Sequence, residues 1–196
     1  MNTITTEQTE MGVMPIDIFA KLANDRILFI HDRIDDQVAA DITATLLLKD
    51  SEDVSQKITL FLNSDGGDIR SVFAIYDVIQ LIQSPLETIC VGAAMHEAVL
   101  LLAAGSPGLR FATNNAMIAP SQLIHDHNYY SDLIDAKAIL KRFQNDNSAF
   151  IDTLAKCVNK SAETLKQDFE RQQFYTAKQA MNYGIVDHII LGKRNK

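Results

Sequence analysis

Three places in the chain gather residues with chemistry to offer. The first is Thr88–Gly105, TICVGAAMHEAVLLLAAG. An apolar β-type run to Val91 passes through Gly92, Ala93 and Ala94 into an apolar helical run, Ala98–Ala104, closed by Gly105. A strand that turns tightly into a helix presents one side chain at the junction, beside backbone N–H groups that no helix carbonyl satisfies. The junction residues here are His96 and Glu97, an imidazole and a carboxylate, and not a serine. The second place is Asn63-Ser64-Asp65-Gly66-Gly67-Asp68. Its glycine pair lets backbone approach a ligand closely and offer N–H groups. The flanking carboxylates of Asp65 and Asp68 speak against phosphate, and a plain strand-to-helix turn is the other meaning. The third is His125-Asp126-His127. On a strand the two imidazoles share a face and could ligate a metal. No third ligand is identifiable, so no metal site is assigned, and an exposed polar strand is the alternative. Asp168 by itself reads as a surface carboxylate.

These residues need elements to position them. Lys57–Leu62 (KITLFL) is a nearly continuous apolar strand, as in a sheet covered on both faces. Ile69–Ile82 is a helix, with Ile69, Val72, Tyr76 and Ile79 at helical spacing, ended by Ser84-Pro85. Strands are predicted at Arg26–Ile30, Thr88–Val91, Leu109–Thr113 and Ile185–Leu191. Further helices are predicted at Pro15–Ala23, Asp35–Leu48, Ser161–Phe169 and from Thr176, with a charged loop over Lys49–Gln56. Strands alternating with helices mean an α/β fold with mainly parallel pairing. Asp132–Val158 is a long helix whose apolar residues recur at three and four. Either it lies on its own core or it projects into a neighbouring subunit, with Asn147 as a polar register point. No repeat and no low-complexity segment interrupts the chain.

Composition bounds the function. The 196 residues suit one domain, with 47% apolar residues to form a core and a formal charge of −7. That balance argues against a nucleic-acid binder or an anionic-membrane binder. The longest apolar run is too short to span a bilayer, so no membrane partner is expected. Cys90 and Cys157 form no disulfide framework, and Cys90 sits in an apolar strand. A polar N-terminus without the regions of a secretory signal, together with reduced cysteines, fits the cytoplasm.

Taken together, these pieces resemble the Clp proteolytic subunit family, ClpP, of the ATP-dependent serine peptidase. Asn63-Ser64-Asp65-Gly66-Gly67 is similar to the family's N-S-P-G-G, and Ala74-Ile75-Tyr76-Asp77 to its A-I-Y-D helix. Thr88–Gly92 and Leu101–Gly105 bracket its nucleophile segment without a gap. Glu170-Arg171, Phe174 and Tyr183–Asp187 match its C-terminal run, and the likeness covers nearly the whole chain. The resemblance implies a crotonase-like ββα spiral with a protruding handle helix at about 132–158. Met1–Val13, polar and threonine-rich, reads as a flexible arm or a segment ordered by a partner, ahead of one domain over 14–196, and no cofactor is expected. The partners implied are a AAA+ Clp ATPase and other copies, in stacked heptameric rings of this chain or in mixed rings with an active paralogue.

The catalytic residues carry over unevenly. His96 stands where the family has its serine. Without a gap, Ser121 falls on the family's histidine. If the turn near Asn114 is two residues shorter, Met117-Ile118 match its M-I pair, the handle register is restored, and Ala119 takes that position; this alignment is preferred. Placing His125 there needs compensating gaps. Asp168 matches the acid directly, and Gly67 and Glu97 would supply the backbone N–H pair of the oxyanion hole. The family's glycine-rich substrate strand becomes Ile124–Asn128, His125 and His127 included. A triad needs an oxygen nucleophile at the oxyanion hole, an imidazole to take its proton, and an acid to orient that imidazole. The expectation is therefore a ClpP-like subunit that is catalytically impaired, with a structural or regulatory duty. One alternative is a hydrolase with a rearranged site built from His96, Ser121 and Asp168, or from Glu97 and the two histidines. A second is a crotonase-type acyl-CoA enzyme with Glu97 as base.

Overall fold

A computed structural model describes residues 4–9, 12–121, 133–170 and 173–192. Over the expected arm, β1 (Ile4–Thr9) and β2 (Gly12–Asp17) pair antiparallel as a hairpin, with Ile4 opposite Asp17. The first helix, α1 (Ile18–Asn24), starts later than its sequence suggests. Asp17 acts as the cap, accepting the N–H groups of Phe19 (2.8 Å) and Ala20 (3.2 Å). After β3 (Ile27–Ile30), helix α2 (Asp36–Glu52) runs through much of the predicted charged loop. Lys49 is buried, its Nζ pairs with Glu52 at 2.9 Å, and its carbonyl accepts the Arg26 guanidinium at 2.6 Å. Those contacts hold the polar segment in helical form.

The centre is built from β4 (Ile58–Ser64), α3 (Ile69–Leu81), β5 (Leu86–Met95), α4 (Ala98–Ala103) and β6 (Arg110–Thr113). They are followed by β7 (Met117–Ala119), α5 (Leu133–Cys157), α6 (Ala162–Asp168), β8 (Tyr175–Thr176), α7 (Ala177–Tyr183) and β9 (His188–Ile190). Strands β3-β4-β5-β6-β9 form a parallel sheet in that order. The second half of β5 takes a new parallel partner, β7, with Met95 opposite Ala119, and β8 adds antiparallel to β7. This mixed α/β arrangement, with its mainly parallel sheet, agrees with the fold class expected from the sequence.

Core formation follows from pattern. Helix α4 is apolar all round and entirely buried, as such a helix must be. On β4, Ile58, Leu60 and Leu62 are fully buried, whereas the opposite face carries Thr59 and Phe61, only partly covered. The apolar run thus reads as covered on both faces, but the chain alone covers one. Phe61 stacks on Phe29 there at 5.0 Å between ring centroids. The long helix α5 packs on the chain's own core over its second half only. Phe150, Ile151 and Leu154 are buried in the core, while Leu140, nearer the start, is 55% exposed.

Candidate active site

Four segments converge on one point. Strand β5 delivers His96 at its end, in a left-handed backbone conformation with φ +49. A non-glycine residue there costs about 1–2 kcal/mol and persists only where its surroundings hold it. The His96 N–H donates to the carbonyl of Ala119 (2.9 Å), continuing the β5–β7 ladder by one residue. The same pairing carries the chain past Pro120 to Ser121, which is buried. The Ser121 Oγ lies 2.6 Å from His96 Nδ1.

The glycine turn closes the other side. Ile34 clamps it through two backbone bonds: the Ile34 N–H donates to the Gly66 carbonyl (2.9 Å), and the Asp68 N–H donates to the Ile34 carbonyl (2.8 Å). The Ser64 hydroxyl accepts the Gly66 N–H at 3.2 Å. Gly66 needs its glycine, because its φ is +97 and a Cβ would sit 2.4 Å from Glu97 Oε2. At Gly67 a Cβ would fall 2.0 Å from the Ile34 carbonyl oxygen. The turn therefore aims one donor, the Gly67 N–H, at the junction. Its acceptor is the Glu97 carboxylate, 3.1 Å away.

Glu97 is 7% exposed. Burial pushes its carboxyl up from the usual carboxylate range, opposed by its own backbone N–H, the Gly67 N–H and the nearby charges of His96 and Arg33. Asp168 lies at the end of α6. It accepts the Tyr183 hydroxyl at 2.7 Å, and that phenol is held protonated by burial first and then by this bond. Tyr175 is also raised, by burial and by the Asp168 charge. Cys90 plays no part: it is fully buried, and burial pushes its thiol up to about 12.

The structure thus places the sequence-derived residues in two groups. His96, Ser121, Glu97 and Gly67 meet at the junction. Asp168 forms a separate bond with Tyr183, and among the described residues it hydrogen-bonds neither His96 nor Ser121. Ala119 is buried and contributes its carbonyl to the His96 amide. His125 and His127 lie outside the described residues. Among the described residues no cluster of three or more His, Cys, Asp or Glu could hold a metal ion, and no helix is long and apolar enough to cross a membrane. Two features escaped the sequence reading. One is Tyr183 as the partner of Asp168. The other is where the Glu97 side chain lies: it was read as an oxyanion-hole amide or as a base, and it is found folded onto the glycine turn. The adjacency of Gly66-Gly67 to a carboxylate was its one signal, and spacing alone does not bring 66 and 97 together.

Chemically, the Ser121–His96 pair can pass the serine proton to an imidazole. It lacks an acid on the imidazole's far nitrogen among the described residues, and the amide that would hold an oxyanion already holds a carboxylate.

The Clp protease family profile matches residues 10–193. The chain is 33% identical over 188 residues to the ATP-dependent Clp protease proteolytic subunit 1 of Tropheryma whipplei strain Twist, covering 96% of this chain and 91% of that protein. It is 37% identical to proteolytic subunit 2 of Frankia casuarinae, covering 96% and 86%. It is 38% identical to proteolytic subunit 4 of Streptomyces avermitilis, covering 94% and 81%.

Proposed function

The chain belongs to the Clp protease family as a ClpP-like proteolytic-subunit homologue, and from that premise we propose that it assembles as such a subunit without cutting peptides by the family's serine route. Its duty is structural or regulatory, in rings of its own or mixed with an active paralogue, docked to a AAA+ Clp ATPase in the cytoplasm. The observation that carries this reading is the occupancy of the Gly67 amide. The residue at the end of β5 is an imidazole, and the donor opposite it is taken by the Glu97 carboxylate at 3.1 Å. A serine peptidase needs a hydroxyl there and a free donor for the oxyanion. Losing one such donor costs about 2.7–4 kcal/mol of transition-state stabilisation, so both departures push the same way.

Assembly is supported by apolar side chains that the chain leaves uncovered: Leu140 on the long helix, Val91 on the sheet at 38% exposure, and Leu81 at 73%. Contact with other chains would remove these side chains from water. We place Ser121, not Ala119, at the family's histidine position, because its side chain reaches His96 while the Ala119 carbonyl is committed to the ladder.

A second reading rests on one distance. With Oγ and Nδ1 at 2.6 Å, Ser121 could act as a nucleophile with His96 as its base. A fluorophosphonate probe separates the two. The proposal expects no adduct on Ser121; labelling that His96→Ala abolishes establishes the rewired hydrolase instead. Native mass spectrometry of the purified chain, alone and mixed with a catalytic paralogue, is expected to show rings; a monomer under both conditions contradicts the assembly role.

A further inference from the structure

We propose that Glu97 is a tethered carboxyl group that fills the family's oxyanion pocket, and that the Gly67 and Glu97 amides form a carboxylate-binding site which accepts a free carboxylate once that side chain is removed. Three observations carry it. The Glu97 Oε2 accepts the Gly67 N–H at 3.1 Å. The cradle has the shape of its occupant: only a glycine at 66 leaves room, since a Cβ there would sit 2.4 Å from Oε2. The donor is fixed before any ligand arrives, because Ile34 and Ser64 hold the turn through backbone and hydroxyl bonds. Arg33 adds favourable charge nearby.

Tethering explains how a buried carboxylate stays in place. A side chain attached one residue past the junction is present at a high effective concentration, so it fills a site too weak to hold a free anion at ordinary concentration. A peptide carbonyl would have to displace it before either amide could stabilise a developing oxyanion. The inference rests on the reading of this site as unable to cut by the serine route, yet its readout is binding and not turnover.

The test uses the full-length protein with acetate as the probe. Glu97→Ala is expected to lower the melting temperature by several degrees. Sodium acetate should restore most of that loss relative to sodium chloride at equal ionic strength, the gain rising with the logarithm of concentration as the site fills. Wild type and Glu97→Gln, whose amide oxygen still caps the donor, should not respond. An equal acetate effect on all three proteins, or none on Glu97→Ala, overturns the inference. If Glu97→Ala folds in neither salt, amide exchange at Gly67 decides. Protection in wild type and Glu97→Gln supports the site, and an unprotected amide in wild type refutes it. Peptide turnover by wild type would strike at the functional reading alone, and acetate indifference at this inference alone.

Discussion

Adding one methyl group at Gly66 probes the cradle directly. In Gly66→Ala the new Cβ would stand 2.4 Å from Glu97 Oε2, 3.1 Å from His96 Cβ and 3.2 Å from the Met95 carbonyl oxygen. Two costs follow. The left-handed backbone, with φ +97, charges about 1–2 kcal/mol to any residue with a side chain. Crowding of the carboxylate adds about 1–3 kcal/mol, since a packed site must shift to admit a methyl. Only the second depends on Glu97. In a Glu97→Ala background the closest contact is gone, so Gly66→Ala should cost about 1–2 kcal/mol less there than in wild type. Urea denaturation of all four proteins at one protein concentration, with unchanged slopes, measures the coupling. Additivity to within about 0.5 kcal/mol would refute the placement of the carboxylate in the glycine turn.

Two further outcomes are expected. Burial raises the Glu97 carboxyl above its ordinary value of 4.5, so the contribution of Glu97 to stability falls as pH rises from the unfolded value through the raised folded one. Glu97→Gln should therefore be the more stable protein at neutral pH, its advantage vanishing below 4.5; a pH series of melting temperatures with a constant difference contradicts this. Arg26 is buried and donates to the carbonyls of Lys49, Gln56 and Lys57 and to the Ser84 hydroxyl. Arg26→Met should cost about 3–5 kcal/mol in chemical denaturation, because it leaves those acceptors without their donor.

Most of the architecture was legible from pattern. Period-3.6 apolarity located α3 and α5, and the continuous run KITLFL located β4, but the turn read at Gly92-Ala93-Ala94 is strand: β5 continues to Met95, because Ala93 and Ala94 find a new ladder partner in β7. Boundaries moved where a side chain outweighed propensity, as when Asp17 capped α1 and the Lys49–Glu52 pair carried α2 onward. The two-face burial expected of β4 fails in the lone chain, because hydropathy cannot say whether the same chain or another covers a face.

The site was legible only in part. Two alignments compete at Ser121 and Ala119 because they differ by two residues in the turn near Asn114, which leaves no periodic trace. The ladder resolves what each does: Met95 pairs with Ala119, and two residues further on the Ser121 hydroxyl meets His96. Glu97 was read for its amide from family position and, in the alternatives, as a base. Where its carboxylate folds depends on the room left by Gly66, a contact across 31 residues. Asp168 was matched by position, but its bond to Tyr183 depends on how α6 and α7 approach, which no local pattern encodes.

Hydrolysis of a short fluorogenic peptide by the assembled, purified protein, beside His96→Ala, Ser121→Ala and Asp168→Ala, bears most directly on the central claim. The account predicts four indistinguishable rates at the uncatalysed background. Turnover by wild type that any one of the three substitutions removes would contradict it.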